Sequence, residues 1–339
     1  MHGDEQFWVL ILAAGEGSRL RSLTTTASGT SIPKQFCSLH GGPSLLQEAL
    51  NRARSVTVDD RVCAVVAAQH RPWWRPQLAD LDTANVIIQP QNRGTANGIL
   101  LALLGLLESN RGARILLLPA DHHVCDEFVL ARAMRDALRR LRPHSEATLL
   151  LGLEPDQPDP QLGYIVPGEP DDHGVRRPAR FVEKPTTAQA QELIGLGALW
   201  NGFIMASTVH GLLGLFSRSR SRIVHAMRQA IRRDLQSPGP ACAVAALYDQ
   251  LPTLDFSRDI LADQVSSLRV LRVRACGWSD LGTPEGVAVA LQRPVLQTDG
   301  ALRQGLGQLS LAAQQQRLRG STTGAGRVIS GYLAFAGPA

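Results

Sequence analysis

Seven consecutive apolar residues, Phe7 to Ala13 ("FWVLILA"), begin the patterned part of the chain and run straight into the glycine-bearing stretch "AGEG". Short apolar runs of the same kind recur at 62–68 ("VCAVVAA"), 85–89 ("NVIIQ"), 113–119 ("ARILLLP") and 147–153 ("ATLLLGL"). Between them lie longer segments, at 44–54, 95–108 and 127–141, whose apolar positions fall three or four apart. Wholly apolar runs of this length read as strands buried on both faces, and the longer period reads as helix. Their alternation predicts an α/β fold: a largely parallel sheet covered by helices on both faces, with ligands beyond the strand C-termini. After "GYIVPG" (163–168) the rhythm loosens. A helix is expected at 186–196, helices between 207 and 235, a strand at 267–273 and a helix at 284–291. No internal repeat is visible. From residue 293 the chain turns rich in Gln, Gly, Ser and Ala, so the pattern divides it into a domain at 1–292 and a low-order tail or small appended element at 293–339.

Composition narrows the class. With 339 residues, 44% hydrophobic and 19% charged, the chain can bury a sizeable core. The first apolar run is too short to span a bilayer, follows the acidic "MHGDEQ" and lacks a basic leader, so a soluble, cytoplasmic protein is expected, with no membrane partner. Five scattered cysteines, with no CxxC pair, suggest neither a disulfide framework nor a zinc site. The net charge of +5 is spread through helical stretches such as "ARAMRDALRRLR", which argues against nucleic acid and suits small anions. One detail stands out. Of 35 Lys and Arg residues only two, Lys34 and Lys184, are lysine.

The first strand feeds "LAAGEGSRL", where Gly15 and Gly17 let backbone N–H groups approach phosphate oxygens. A dinucleotide fingerprint would need glycine at the position of Leu20, and a P-loop would need Gly-Lys-Ser/Thr; neither is present. Arg19 and the "PKQF" that carries Lys34 add two cations to the same loop system, which together describe a triphosphate cradle. On the residues alone, Asp121 in "PADH" fits a turn cap as well as a metal ligand.

In the order in which they occur, "LAAGEGSRL", "PKQF", "RGTA" (93–96), "PADH" (119–122), "FVEKP" (181–185), "WN" (200–201) and "WSDLG" (278–282) resemble the motifs of the sugar-phosphate nucleotidyltransferases. Within that family the chain most resembles mannose-1-phosphate guanylyltransferases, over about residues 7 to 291. The resemblance implies the nucleotidyltransferase fold, a three-layer α/β/α arrangement around a mixed, mostly parallel Rossmann-like sheet. It also implies transfer of a nucleotidyl group from a nucleoside triphosphate, GTP favoured, to a sugar 1-phosphate, mannose 1-phosphate favoured. Such chemistry needs no general base, because the attacking phosphate oxygen is already charged; it needs cations and a metal that hold two polyanions in line.

By the same resemblance Arg19, Lys34 and Asp121 are catalytic, and Asp121 and Asp280 hold Mg²⁺, which prefers a few carboxylate oxygens completed by water and phosphate. Ala14, Gly15, Gly17, Ser18, Gln89, Gly94 and Thr95 would bind the nucleotide, and Gly163, Glu183, Lys184 and Asn201 the sugar phosphate. His122 and His123 are expected to support the site without binding the hard cation. Trp200 and Tyr164 read as core. A compact ammonium on a thin stem can enter a phosphate site that a planar guanidinium fork would not fit, which explains the two retained lysines.

Some positions depart from the family pattern. Ala14 replaces a usual glycine, and Gln89 stands where guanylyltransferases often carry Glu while thymidylyl and uridylyl relatives carry Gln. "RGTA" lacks an asparagine, "WNGF" lacks a serine, and 21–32 ("RSLTTTASGTSI") is long and polar, reading as a mobile flap. Thymidylyl or uridylyl transfer to glucose 1-phosphate and a non-catalytic nucleotide-sugar-binding relative are the alternatives; a dinucleotide oxidoreductase is weakened by Leu20. No hexapeptide repeats follow residue 293, so whether the chain forms a homo-oligomer is left open.

Overall fold

The computed structural model describes residues 7–39, 42–142, 144–171, 174–236 and 242–292. The expected tail at 293–339 lies outside the described residues. Strands β1 (Phe7–Leu12), β2 (Val62–Ala67), β3 (Val86–Gln89) and β4 (Arg114–Pro119) pair in parallel, in the order β3-β2-β1-β4. Each apolar run of the N-terminal half therefore became a strand. All of β2 is buried, as expected of a strand with no solvent face.

The helices of this half are α1 (Arg21–Thr24), a single turn, then α2 (Leu45–Arg54), α3 (Arg71–Gln77), α4 (Gly94–Ala102) and α5 (Glu127–Arg140). The start of α2 is set by a capping box: Ser44 Oγ accepts the Gln47 amide, and the Gln47 side chain accepts the Ser44 amide. Side chains alternate across β1. Val9 and Ile11 join a core with Leu46 and Leu50 of α2, Trp74 of α3 and Met134 of α5. Leu10 faces a second core with Ile99 and Leu100 of α4. At about 1.5–3 kcal/mol for each large side chain fully buried, these two cores hold the helices to the sheet.

The C-terminal half adds β5 (Thr148–Leu153), β6 (Gly163–Pro170), β7 (Arg176–Glu183), α6 (Thr187–Gly195), β8 (Leu199–Thr208), α7 (Val209–Gln236), α8 (Cys242–Gln250), β9 (Leu268–Val273) and α9 (Pro284–Gln292). Phe216 of α7 and Tyr248 of α8 complete the second core. Here the expectation of a mostly parallel sheet is corrected. The nine-strand order is β3-β2-β1-β4-β8-β5-β9-β7-β6, with β8 also pairing β6. Of nine strand pairings among the described residues, four are parallel and five antiparallel. The physical cause is local: β6 and β7 are joined by a turn too short for a crossover, and β8 runs antiparallel to both of its neighbours, β4 and β5. The sheet is mixed.

This topology builds the cleft from both directions. The parallel strands present their C-terminal ends, and the reversed strands bring Gly163, Glu183 and Asn201 into register at the same edge, with Gly163 opposite both Glu183 and Asn201. Among the described residues no helix is long and apolar enough to cross a membrane.

Candidate active site

The glycine loop after β1 is held from below by amides. Gln35 Nε2 donates to the carbonyls of Ala13 at 3.0 Å and Gly15 at 2.8 Å, and Asn92 Nδ2 donates to that of Ala14 at 3.1 Å. Gly17 turns the chain with φ +60°, and a Cβ there would sit 2.6 Å from the Lys34 amide nitrogen. Glycine is needed for the angle and for the approach. Glu16 braces the loop from outside through Asn92, Gln69 and His70. Burial pushes its carboxyl up, but the Asn92 bond and the contacts of His70 and Gln69 prevail and hold it below the usual value.

Lys34 is buried, 4% exposed. Its Nζ lies 3.0 Å from Asp121 Oδ2 and donates to the carbonyl oxygen of Asp280 at 2.5 Å. Arg19 reaches Asp280 Oδ2 at 3.4 Å, and the Gly282 amide donates to Asp280 Oδ1 at 2.8 Å. Two loops far apart in sequence are thus stitched at one point. A backbone bridge does the stitching: the His123 amide donates to Ser279 O at 3.0 Å and the Ser279 amide to His123 O at 2.9 Å. Crowding by protein raises the Asp121 carboxyl, and the Lys34 ammonium more than reverses it, so the group sits below the ordinary carboxylate value.

His122 has a defined tautomer. Trp278 Nε1, which can only donate, gives its hydrogen to His122 Nδ1 at 3.2 Å, so the ring proton is on Nε2, facing Asp121 Oδ1 at 3.6 Å. Burial pushes this imidazole down to about 4, against the pull of Asp121, and keeps it neutral. It braces the carboxylate. Trp278 in turn packs on Trp200, with ring centroids 5.9 Å apart.

Two cavities open on either side of this junction. The larger, about 430 Å³, is lined by Ala14, Gly15, Gln89, Gly94, Thr95 and Asp121, among others. That volume is in the range of a nucleotide-sized ligand site. The smaller, about 220 Å³, lies beyond Asp280 and includes Arg19, Trp200 and Trp278 in its wall. Gly17 and Ser18 line neither cavity; Gly17 packs on Lys34, and Ser18 opens an exposed turn.

Across β7, β6 and β8 the predicted sugar-phosphate residues Glu183, Gly163 and Asn201 are neighbours. A Cβ on Gly163 would meet Glu183 Oε2 at 2.5 Å and Asn201 Cβ at 3.4 Å. Lys184 is exposed, has φ 49°, and makes no side-chain hydrogen bond among the described residues. It is not part of the Lys34 cluster; its charge is felt at Glu183.

Tyr164 is fully buried, as the packing reading required, with its hydroxyl accepting the Asp159 amide at 2.8 Å. Gly202 replaces the family serine because a Cβ there would run into Leu153 and lie 3.2 Å from Trp278. The 21–32 segment closes on itself, with the Thr26 amide donating to Thr30 O at 2.9 Å and the Ile32 amide to Thr24 O at 3.0 Å.

Sequence reasoning missed several residues in and behind the wall of the larger cavity. Asn92 ties the glycine loop and accepts the Gly94 amide at 3.0 Å, next to a box judged to lack asparagine. Tyr248 donates its hydroxyl toward Gln89 Oε1 at 3.4 Å. Phe203, Asp255 and Arg258 close the far end of the larger cavity. No motif marked Tyr248, Asp255 or Arg258.

Among the described residues no set of three or more His, Cys, Asp and Glu side chains gathers to hold a metal unaided. Asp121, with 41% of its side chain open, and Asp280, with 16%, offer two hard carboxylates at one junction. That donor set suits Mg²⁺ completed by phosphate and water.

Comparison with known proteins gives the class. The chain matches the nucleotidyl transferase family over residues 8–293 and belongs to it. Among curated relatives, the mannose-1-phosphate guanylyltransferase of Salmonella montevideo is 31% identical over 299 residues, covering 81% of this chain and 58% of that protein. The protein of the same name from Escherichia coli is 32% identical, covering 82% and 58%. This chain therefore spans little more than half the length of the curated relatives it matches. Among solved structures, the mannose-1-phosphate geranyltransferase from Thermus thermophilus superposes with a TM-score of 0.72 at 27% identity, covering 85% of this chain and 80% of that one. A UDP-glucose pyrophosphorylase complexed with UDP-glucose shares the fold, at a TM-score of 0.51 and 17% identity, with 84% and 96% coverage.

Proposed function

We propose that this chain transfers a nucleotidyl group from a nucleoside triphosphate, GTP favoured, to a sugar 1-phosphate, mannose 1-phosphate favoured. A phosphate oxygen of the sugar 1-phosphate attacks the α-phosphorus, the bond to the bridging oxygen breaks, and pyrophosphate leaves with its charge. The observation that carries the reading is the buried Lys34 ammonium, fixed between Asp121, which lines the larger cavity, and the carbonyl of Asp280, which lines the smaller. The names of the curated relatives support the choice of base and sugar.

Each residue has a task in this scheme. Gly15 and Gly17 let the loop amides approach the triphosphate, Lys34 places its remaining N–H on a phosphate oxygen, and Arg19 meets the departing pyrophosphate. Asp121 and Asp280 would hold Mg²⁺, which when bound neutralises charge developing on the phosphate oxygens. Glu183, Asn201 and the bare backbone of Gly163 would position the sugar, and Lys184 its phosphate. We place the reaction in the cytoplasm, on a three-layer α/β/α scaffold formed by the two cores.

Gln89 sustains a second reading. It is 2% exposed at the cavity wall, and an amide there can pair with a pyrimidine as well as with guanine. Thymidylyl or uridylyl transfer to glucose 1-phosphate is that alternative. A pyrophosphate-release screen of four nucleoside triphosphates against mannose, glucose and related 1-phosphates, with and without a chelator, separates the readings. Release with GTP and mannose 1-phosphate that stops on chelation is expected; release without divalent cation removes the metal role, and no release with any pair removes the function.

A further inference from the structure

Two carboxylates that no shared motif unites feel each other's charge: Asp255, in the wall of the larger cavity, and Glu183 on the neighbouring sheet edge. Asp255 shares that wall with Phe203, Thr253 and Arg258. Its Oδ1 accepts the Arg258 amide at 2.9 Å, and its Oδ2 has no hydrogen-bond donor among the described residues. Glu183 lies over Gly163 and likewise has no side-chain hydrogen bond among the described residues. The two are close enough to interact: burial first, then the Asp255 charge, raises the Glu183 carboxyl, while Lys184 and Arg258 pull it down. A further link joins the turn that carries Asp255 to the sugar side, where Asn201 Nδ2 donates to Ser257 Oγ at 3.5 Å.

A partly buried carboxylate oxygen without a donor is costly, and more so where a second carboxylate's charge is felt. Ionised, both groups only accept hydrogen bonds. Flanked by the Lys184 ammonium and the Arg258 guanidinium, they suit a ligand that is rich in hydroxyl donors and carries negative charge. We infer that Asp255 is a second sugar-recognising carboxylate, accepting hydroxyl hydrogen bonds from the sugar 1-phosphate together with Glu183. This rests on the nucleotidyl-transfer reading above. The ribose of the nucleotide is the competing donor, since Asp255 lines the same cavity as Gln89 and Thr95; the coupling to Glu183 and the Ser257 link to Asn201 favour the sugar.

Asp255→Asn is the test, because an asparagine Oδ1 still accepts the Arg258 amide and preserves the turn. With saturating triphosphate, the KM for the sugar 1-phosphate should rise about tenfold to a hundredfold, the worth of a hydrogen bond to a charged group. The KM for the triphosphate should stay within about twofold, which sets the effect apart from general damage. Asp263→Asn, at an exposed position outside the cavity lining, serves as control and should leave both constants alone. A second measurement uses the wild-type enzyme with singly deoxygenated sugar 1-phosphates. One analogue should lose what Asp255→Asn loses, and on that analogue the substitution should have no further effect. An active wild-type enzyme whose sugar KM is unchanged by Asp255→Asn, or a rise confined to the triphosphate KM, overturns the inference and leaves the function standing. Failure of the wild-type enzyme to release pyrophosphate with any pair overturns both.

Discussion

Lys34 separates charge from shape. Its side chain is 5% exposed, and the three hydrogens of its ammonium are divided. Asp280 O accepts one at 2.5 Å, Asp121 Oδ2 takes another at 3.0 Å, and the third is left for a ligand. Lys34→Met fills the same slot with no charge. Because Asp121 keeps 41% of its side chain open to solvent, the lost ion pair is worth at most about 1 kcal/mol of stability, while turnover should fall about 10²–10³-fold, the usual cost of one charge-stabilising donor. Lys34→Arg keeps the charge but forces a planar fork into a slot that is 5% exposed and ends at Asp121 Oδ2 and Asp280 O. Overpacking of that kind costs about 1–3 kcal/mol, at about 2–4 °C of Tm per kcal/mol, and a guanidinium cannot meet both oxygens from one nitrogen. The two variants should therefore dissociate: both inactive in pyrophosphate release, only the Arg variant melting lower. An Lys34→Arg enzyme with wild-type turnover and Tm would refute the reasoning.

Gly17→Ala places a Cβ 2.6 Å from the Lys34 amide at φ +60°, so it should cost at least about 1–2 kcal/mol in thermal unfolding and raise the triphosphate KM; an unchanged KM would show that the loop does not cradle the nucleotide. Lys184→Arg preserves charge at an exposed position of φ 49°, and kcat/KM for the sugar 1-phosphate should fall while the triphosphate KM holds, because one nitrogen meeting one phosphate oxygen is replaced by a fork. Glu16 titrates below the ordinary carboxylate value, so its contribution is present at neutral pH and fades as acid protonates it in the folded state. Chemical unfolding between about pH 5 and pH 3 should find Glu16→Gln losing less stability than wild type, and parallel curves would show that the Asn92 and His70 contacts contribute nothing.

The N-terminal half was legible because its strands are almost wholly apolar and two of its helices, α2 and α5, carry side-chain caps. Asp121 and Gln89 could be placed at strand ends from "PADH" and "NVIIQ" alone. The second half resisted for reasons that can be named. β7 reads "RRPARFVE", with little apolar periodicity, and the strand "LWNGFIMAST" passes directly into α7 with no turn residue to mark the change. α3 and α8 were also unforeseen; α3 has Pro72 and Pro76 within a single short segment. Antiparallel insertion of β8 between β4 and β5 is a tertiary fact, as is the bond from Lys34 to a carbonyl 246 residues away. Asp255 was unmarked for the same reason, since its influence on Glu183, 72 residues earlier, is a tertiary effect.

Backbone strain marks the same place as the chemistry. Among the described residues four non-glycine positions have left-handed φ, and three of them, Lys184 at 49°, Phe203 at 56° and Leu281 at 47°, lie at the cleft. Such conformations cost of order 1–3 kcal/mol each and persist only where surrounding structure fixes them. Here each amide finds an acceptor: Lys184 bonds Leu162 O at 3.3 Å, Phe203 bonds Asn201 Oδ1 at 3.2 Å, and Leu281 bonds Ser279 Oγ at 3.1 Å. Each also follows a working side chain by one or two positions: Glu183, Asn201 and Asp280. A left-handed residue turns the chain sharply, and the side chains of Asn201 and Asp280 accept amides of the turns that follow them. Glycine at any of the three would relieve the strain, offset by about 0.4–1 kcal/mol of added freedom in the unfolded chain, and would leave the corner less rigidly held. The bulky residues keep the carboxylates and the amide aimed, and the fold sustains that cost through the two apolar cores beneath.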